Sequence, residues 1–235
     1  VNPYEIAFHH AGPHGVLTAV HLPDSPEPVP EATLEQLHAV EAEHARSLRG
    51  YRQVQFVGGR LALASARKQL GAPPDAVLPN TRGAPQLPAG FVGSVSHKRT
   101  IAVAMAARDL GAKIGVDVED YGPPRPGIAD RVLRPSELAE LHGLPPERFW
   151  ISLLLRFSIK EAVYKALDPY VQRYVGFLEA EVHPDTSGLA EVQMHLRPGE
   201  GPFRIEARYD WVRGHLITSA RIRPAHAPEP PPAER

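Results

Sequence analysis

Two stretches about forty residues apart decide how this chain reads: Gly115-Val116-Asp117-Val118-Glu119 and Phe157-Ser158-Ile159-Lys160-Glu161-Ala162-Val163-Tyr164-Lys165. In the first, Ile114, Val116 and Val118 alternate with Gly115, Asp117 and Glu119. Strand side chains repeat every second residue, so a strand here carries both carboxylates on one face. Neighbouring carboxylates repel. A hard cation relieves that repulsion, and Mg²⁺, with Mn²⁺ as a substitute, suits oxygen ligands completed by phosphate and water. A strand with one solvated acidic face fits the same alternation.

In the second stretch Trp150, Leu153, Leu154, Phe157 and Tyr164 recur at helical spacing, and steps of about 100° place Glu161 near the middle of their stripe. A carboxylate buried there needs a metal or a cationic partner, because an unpaired one costs several kcal/mol or takes up a proton. On the same wheel Lys160 and Lys165 flank the stripe, placed to bracket anionic groups brought to Glu161. An ordinary i,i+4 pair of Glu161 with Lys165 accounts for the charges but not for their place on the apolar face.

Together, at this interval, the two motifs resemble the 4′-phosphopantetheinyl transferases, and within them the large, surfactin-synthetase-activating (Sfp) type and its enterobactin-type branch. The resemblance runs from about Arg52 to about Leu167, and Phe157 stands where many members carry Trp. It implies an α+β fold of two similar α/β halves related by a pseudo-twofold axis, antiparallel sheets packed with helices, and a cofactor cleft between the halves. It also implies Mg²⁺-dependent transfer of the phosphopantetheine arm of coenzyme A to a serine of an acyl or peptidyl carrier protein, releasing adenosine 3′,5′-bisphosphate. Asp117, Glu119 and Glu161 then hold the metal; Glu161, Lys165 and Asp117 are the catalytic set; Lys160 and Lys165 neutralise phosphate oxygens. Glu161 is left open as metal ligand, as acceptor of the serine proton, or as both. Two other readings use the same residues: a magnesium-dependent phosphohydrolase of coenzyme A or nucleotides, and a non-catalytic module that binds coenzyme A or a carrier protein.

The composition is that of an ordinary globular chain: 235 residues, 43% hydrophobic, 23% charged, formal charge −1. Without a basic excess, nonspecific nucleic-acid binding is not its main activity, and any anion site is local. The absence of cysteine excludes a disulfide framework, a thiolate metal site and a cysteine nucleophile. No basic stretch followed by an apolar run opens the sequence, and no segment approaches ~18 apolar residues, so the expectation is a cytoplasmic protein without a membrane span. A cleft supplied by two halves of one chain leads to the expectation of a monomer.

Taken in order, Tyr4 to Leu22 suggests two strands around Ala11-Gly12-Pro13-His14-Gly15, and a helix is expected from Thr33. A second helix follows Gly50, with Phe56, Leu61, Leu63 and Leu70. Arg52, Arg60, Arg67 and Lys68 make it basic; by resemblance Arg52 and Arg60 meet the 3′-phosphate and adenosine end of coenzyme A. In the Pro- and Gly-rich loop 72–90, Ala84 stands where many relatives carry a cofactor lysine, leaving Arg82 as the replacement. Phe91 to Ala107 reads as a hairpin. Ser96 and His97 are adjacent on a strand and point to opposite faces, so they make a poor nucleophile and base pair; by resemblance both bind phosphates. The resemblance also makes the stretch after Tyr121, on to about Leu144, the receiver of the carrier protein. The helix carrying Glu161 is expected to stop near Asp168-Pro169, and four strands follow. The division expected is 1–112, 113–223 and a disordered tail 224–235, with one trace of an internal repeat in His97 before Thr100 to Ala104 and His215 before Leu216 to Ala220.

Overall fold

The computed structural model describes residues 2–226. Strands β1 (Ile6–Gly12) and β2 (Gly15–His21) pair as the expected hairpin. The helix expected from Thr33 is instead two, α1 (Glu31–Leu34) and α2 (Ala39–Ser47). The break is chemical: the His38 ring accepts the Val40 N–H, and Glu41 reaches back to accept the His38 N–H. That reciprocal cap starts a new helix. The long α3 (Gly50–Gln69) follows, then β3 (Phe91–His97) and β4 (Ile101–Arg108). These strands form one antiparallel sheet in the order β1-β2-β4-β3.

The second half opens with β5 (Lys113–Asp120), followed by α4 (Ala129–Val132), α5 (Pro135–Leu141) and α6 (Pro146–Val171). Four strands, β6 (Ala180–Pro184), β7 (Leu189–Met194), β8 (Phe203–Val212) and β9 (His215–Pro224), then complete an antiparallel sheet in the order β5-β9-β8-β7-β6. The halves correspond. In each, a long helix follows one strand, and the closing strand of a hairpin, β4 or β9, lies beside that earlier strand. The faint repeat in the sequence falls on β4 and β9.

The two sheets pack face to face, with α3 outside the first and α6 outside the second. Leu17, Ala19, Ile101, Val103 and Met105 of the first sheet meet Ile114, Val116, Val118 and Ile217 of the second. Val116 and Val118 are wholly buried, each contributing about 1.5–3 kcal/mol. The opposite face of β5 is covered too. Gly115 lies against α6 so closely that a Cβ would stand 1.9 Å from the Ala162 carbonyl oxygen. Asp117 and Glu119, on that face, are only 4% and 8% exposed, which rules out a solvated acidic face.

Helix α6 is covered on more than one side, by β5 and β9 and also by β6 and α4, with α5 reaching it through Glu137 and Lys160. Its deepest residues are Leu153, Ser158, Ile159, Ala162, Val163, Ala166 and Leu167, whereas Phe157, Glu161 and Tyr164 are half-buried. The expected stripe thus enters the core at Trp150, Leu153 and Leu154 but leaves it at Phe157, Glu161 and Tyr164. The helix also runs through Pro169 to Val171, with Gln172 as a left-handed cap at φ 51°. Strand β9 continues to Pro224 and the Ala225 N–H donates to the Pro202 carbonyl, so the first residues of the tail expected from 224 are ordered. Its residues 227–235 lie outside the described residues. Among those described, no helix is long and apolar enough to cross a membrane.

Candidate active site

Between α3 with its neighbouring loop and α6 lies a cleft of about 400 Å³. The first half lines it with Arg52, Phe56, Arg60, Arg82 and His97, and α6 with Glu161, Tyr164, Lys165 and Asp168. Six residues singled out in the sequence thus share one cavity. Arg60 is only 6% exposed, and its guanidinium lies 4.6 Å from the centre of the Phe56 ring. Its Nε is buried with no hydrogen-bond partner among the described residues. Burial pulls this group down to about 10, against the opposing charge of Glu41. A buried cation with an unmet donor is a socket for an anion. Arg52 is exposed at the rim. The protein around His97, and then the Lys165 charge, hold its imidazole below the ordinary value, so it enters the cleft mainly neutral.

Strand β5 presents its carboxylates from behind. Asp117 is held from three sides: Ser96 Oγ and Lys165 Nζ donate to Oδ1 at 2.7 and 2.8 Å, and Ser158 Oγ donates to Oδ2 at 2.8 Å. Lys165 also donates to the Val116 carbonyl at 2.9 Å. Glu119 pairs with Lys98 at 2.5 Å. Burial nevertheless pushes Glu119 up to about 7, with Asp117 and Asp120 adding to the rise and Lys98 opposing it. Glu161 is raised as well, by burial first and by Asp117, while Lys165 and Lys98 counteract. The site is therefore rich in carboxylate, with two ammonium groups set among three acids.

That donor set suits a hard divalent cation. As the side chains stand, Lys98 and Lys165 occupy carboxylate oxygens, and among the described residues no three His, Cys, Asp or Glu side chains gather closely enough to hold a metal. An ion at Asp117, Glu119 and Glu161 would take over positions now filled by ammonium groups.

Two expectations need correction. Lys160 does not flank the cleft: its side chain is 1% exposed and its Nζ donates to Glu137 Oε2 at 2.6 Å and to the Val132 carbonyl at 2.7 Å. The wheel failed because α6 has two covered sides, and the lysine points to the second. Ser96 is 8% exposed and turned to Asp117 rather than to the cleft, while its neighbour His97 faces the cavity. Arg82 does line the cleft, but its guanidinium is engaged with Asp168.

Sequence reasoning missed Ser158, Asp168 and Tyr164 as parts of the site. Ser158 carried one signal, a small polar residue in the apolar run of a helix; Asp168 carried none. Beside Glu161 a narrow slot of about 60 Å³ is walled by the Lys160 stem, Tyr164, Leu167, Val175, Phe177 and Met194. A larger cavity of about 450 Å³, around His14, Met105 and Trp211, contains none of these residues, so chemistry rather than size marks the site.

Comparison with known proteins follows the same line. Residues 40–107 match the family model described as the 4′-phosphopantetheinyl transferase N-terminal domain, and residues 113–220 match that of the 4′-phosphopantetheinyl transferase superfamily. The 4′-phosphopantetheinyl transferase Svp of Streptomyces mobaraensis is 37% identical over 202 residues, covering 82% of this chain and 81% of the relative. Enterobactin synthase component D of Salmonella typhimurium is 31% identical, covering 73% of this chain and 71% of its own. Among solved structures, a holo-(acyl-carrier-protein) synthase from Bacillus anthracis, in complex with coenzyme A (3′,5′-ADP), aligns with 48% of this chain and 96% of its own at 20% identity and a TM-score of 0.40. With both halves matched and relatives aligned over most of its length, the chain belongs to the 4′-phosphopantetheinyl transferase superfamily and is an enzyme of that type.

Proposed function

We propose that this enzyme moves the 4′-phosphopantetheine arm of coenzyme A onto a serine hydroxyl of an acyl or peptidyl carrier protein. The serine oxygen attacks the phosphorus that bears the arm, the bond to the bridging oxygen breaks, and adenosine 3′,5′-bisphosphate leaves with that oxygen. The observation that carries the reading is the cleft itself, where Arg52, Arg60, His97 and Lys165 face the same space as Glu161. A pyrophosphate bearing a third phosphate needs separated cations, and this cleft supplies them along its length.

In this reading Arg60 and Arg52 take the 3′-phosphate end, His97 donates to a phosphate oxygen, and Lys165 neutralises the pyrophosphate. The slot beside Glu161, walled by Leu167, Val175, Phe177 and Met194, receives the apolar length of the arm. Glu161 lines both cleft and slot and accepts the serine proton, a task for which burial, by raising its carboxyl, makes it a stronger base. Asp117 and Glu119, with Glu161 as third donor, would hold Mg²⁺ or Mn²⁺. Such an ion, when bound, withdraws charge from the pyrophosphate. The nucleophile belongs to the carrier, so the enzyme needs none. The cleft is complete within one chain, which fits a monomer, and a cytoplasmic setting fits a cysteine-free chain that uses coenzyme A.

The test is to incubate the protein with coenzyme A, Mg²⁺ and an apo carrier protein and to weigh the carrier intact. One phosphopantetheine is gained with the native protein, and Glu161→Gln reduces the rate by about 10²- to 10⁴-fold while retaining coenzyme A binding. Cleavage of coenzyme A without any modified carrier would instead establish a hydrolase.

A further inference from the structure

We propose that Lys160 serves the reaction as a positioning residue: its ammonium, locked onto Glu137 and the Val132 carbonyl, fixes which face α6 turns to the cleft and is held away from both substrates, while its stem forms part of the wall of the slot beside Glu161. The inference rests on Glu161 being the group that acts in the cleft, as proposed above.

Lys160 and Glu137 are 1% and 0% exposed, so the pair is out of water. The Glu137 carboxylate is fully used. Oε2 accepts from Lys160 Nζ at 2.6 Å and from the Arg134 N–H at 2.7 Å, and Oε1 accepts from the Val182 N–H at 2.8 Å. Lys160 Nζ adds a 2.7 Å bond to Val132 at the end of α4. One carboxylate and one ammonium therefore join α4, α5 and β6 to α6. Burial draws Lys160 down and Glu137 opposes it.

Such a pair contributes little net stability, because removing both charges from water costs about as much as their attraction returns, and apolar residues of similar size often serve equally well. Apolar contact is not directional, however, and leaves the rotation of a helix about its own axis weakly specified. Three hydrogen bonds to one carboxylate do specify it. Successive helical residues differ by about 100°, so pinning Lys160 to the α5 side sends Glu161 to the cleft. A second pin lies elsewhere on α6, where Ser158 and Lys165 both hold Asp117. Glu161 lies between the two anchors.

The experiment compares the native protein with Lys160→Met, the double variant Lys160→Met/Glu137→Gln, and Lys165→Met. The double variant removes both buried charges, so it stays folded if the single variant does not. Three quantities are measured: the coenzyme A dissociation constant by calorimetry, kcat and KM for transfer to an apo carrier, and the Glu161 titration by ¹³C-carboxyl NMR. In the double variant the dissociation constant stays within about twofold, kcat falls at least tenfold, and the Glu161 midpoint moves. Lys165→Met instead weakens coenzyme A binding. A double variant with native kcat and an unmoved Glu161 titration overturns the proposal, and so does one that weakens coenzyme A binding as much as Lys165→Met. If the native protein modifies no carrier, the transferase reading fails; the Glu161 titration still decides whether the clamp sets its surroundings.

Discussion

Arg82 reaches across the cleft from the first half and donates its Nε to both oxygens of Asp168 on α6, at 2.8 and 2.9 Å, while its Nη2 meets the Tyr164 hydroxyl at 3.3 Å. The contact joins residues 86 positions apart and closes one wall of the cavity. Breaking it from either side opens the same wall. Arg82→Gln and Asp168→Asn should each raise the KM for coenzyme A by about 3- to 10-fold with little change in kcat. The double variant should be no worse than the poorer single one, because only one interaction is lost. Steady-state kinetics on the four proteins completes the cycle.

Ser158 holds the oxygen of Asp117 that neither Ser96 nor Lys165 holds. Ser158→Ala frees that carboxylate oxygen without removing a charge. Transfer to an apo carrier should slow by about tenfold, whereas Asp117→Asn should slow it by about 10²- to 10³-fold. Thermal unfolding run beside the assay separates this loss from simple destabilisation.

Gly115 has no room for a methyl group. An added Cβ would meet the Ala162 carbonyl oxygen at 1.9 Å and the Ala166 nitrogen at 2.8 Å, both main-chain atoms that cannot swing aside. Gly115→Ala must push α6 off β5, and about 3 kcal/mol of stability should go with it, read as a lower urea midpoint. Coenzyme A binding should weaken in parallel, because the displaced helix carries Glu161 and Lys165.

His14, at the turn between β1 and β2, is 3% exposed, and its Nδ1 lies 2.9 Å from Ser219 Oγ. Burial, followed by the Arg221 charge and with Arg208 helping against Glu206, pushes it down to about 4. Above its ordinary 6.5 the ring is neutral in both folded and unfolded chains, and its contribution to stability is complete. As the pH falls below 6.5 the unfolded chain takes up a proton that the folded one refuses, so stability drops until about pH 4. Between pH 7 and pH 5 this one group should cost about 2 kcal/mol. In His14→Asn that component should vanish, so the stability gap between native protein and variant narrows by this amount at pH 5, measured by denaturant titration at both values.

Much of the architecture was legible because it follows local rules. The alternation around Val116 gave β5, the Phe91 to Ala107 hairpin gave β3 and β4, and turn residues spaced the four closing strands. The break between α1 and α2 was not, because it depends on His38 acting as a cap, an uncommon role for an imidazole. The core face of α3 was not legible from its large apolar residues: Val54, Val57, Ala62, Leu63 and Ala66 are buried, whereas Phe56 and Leu61 are only partly covered. Within the site, the residues that line the cleft could be named in advance by resemblance, among them Arg60, His97 and Glu161. Their partners could not. Ser96 with Asp117, Arg82 with Asp168 and Lys160 with Glu137 depend on how the elements are set against one another, and a helical wheel drawn for one covered face has no place for a helix with two.

Strands β3 and β5 are both sheet edges, and they face each other without a ladder of main-chain bonds. Ser94 Oγ accepts the Val116 N–H at 3.1 Å, and Ser96 donates to Asp117. Open edges invite pairing with other chains, and here each edge shields its counterpart. The carboxylate cluster around Asp117 thus doubles as the weld line of the molecule. A chain cut between β4 and β5 would lose its cleft and gain two adhesive borders in one event, so integrity of this joint guards against aggregation as much as it supports turnover.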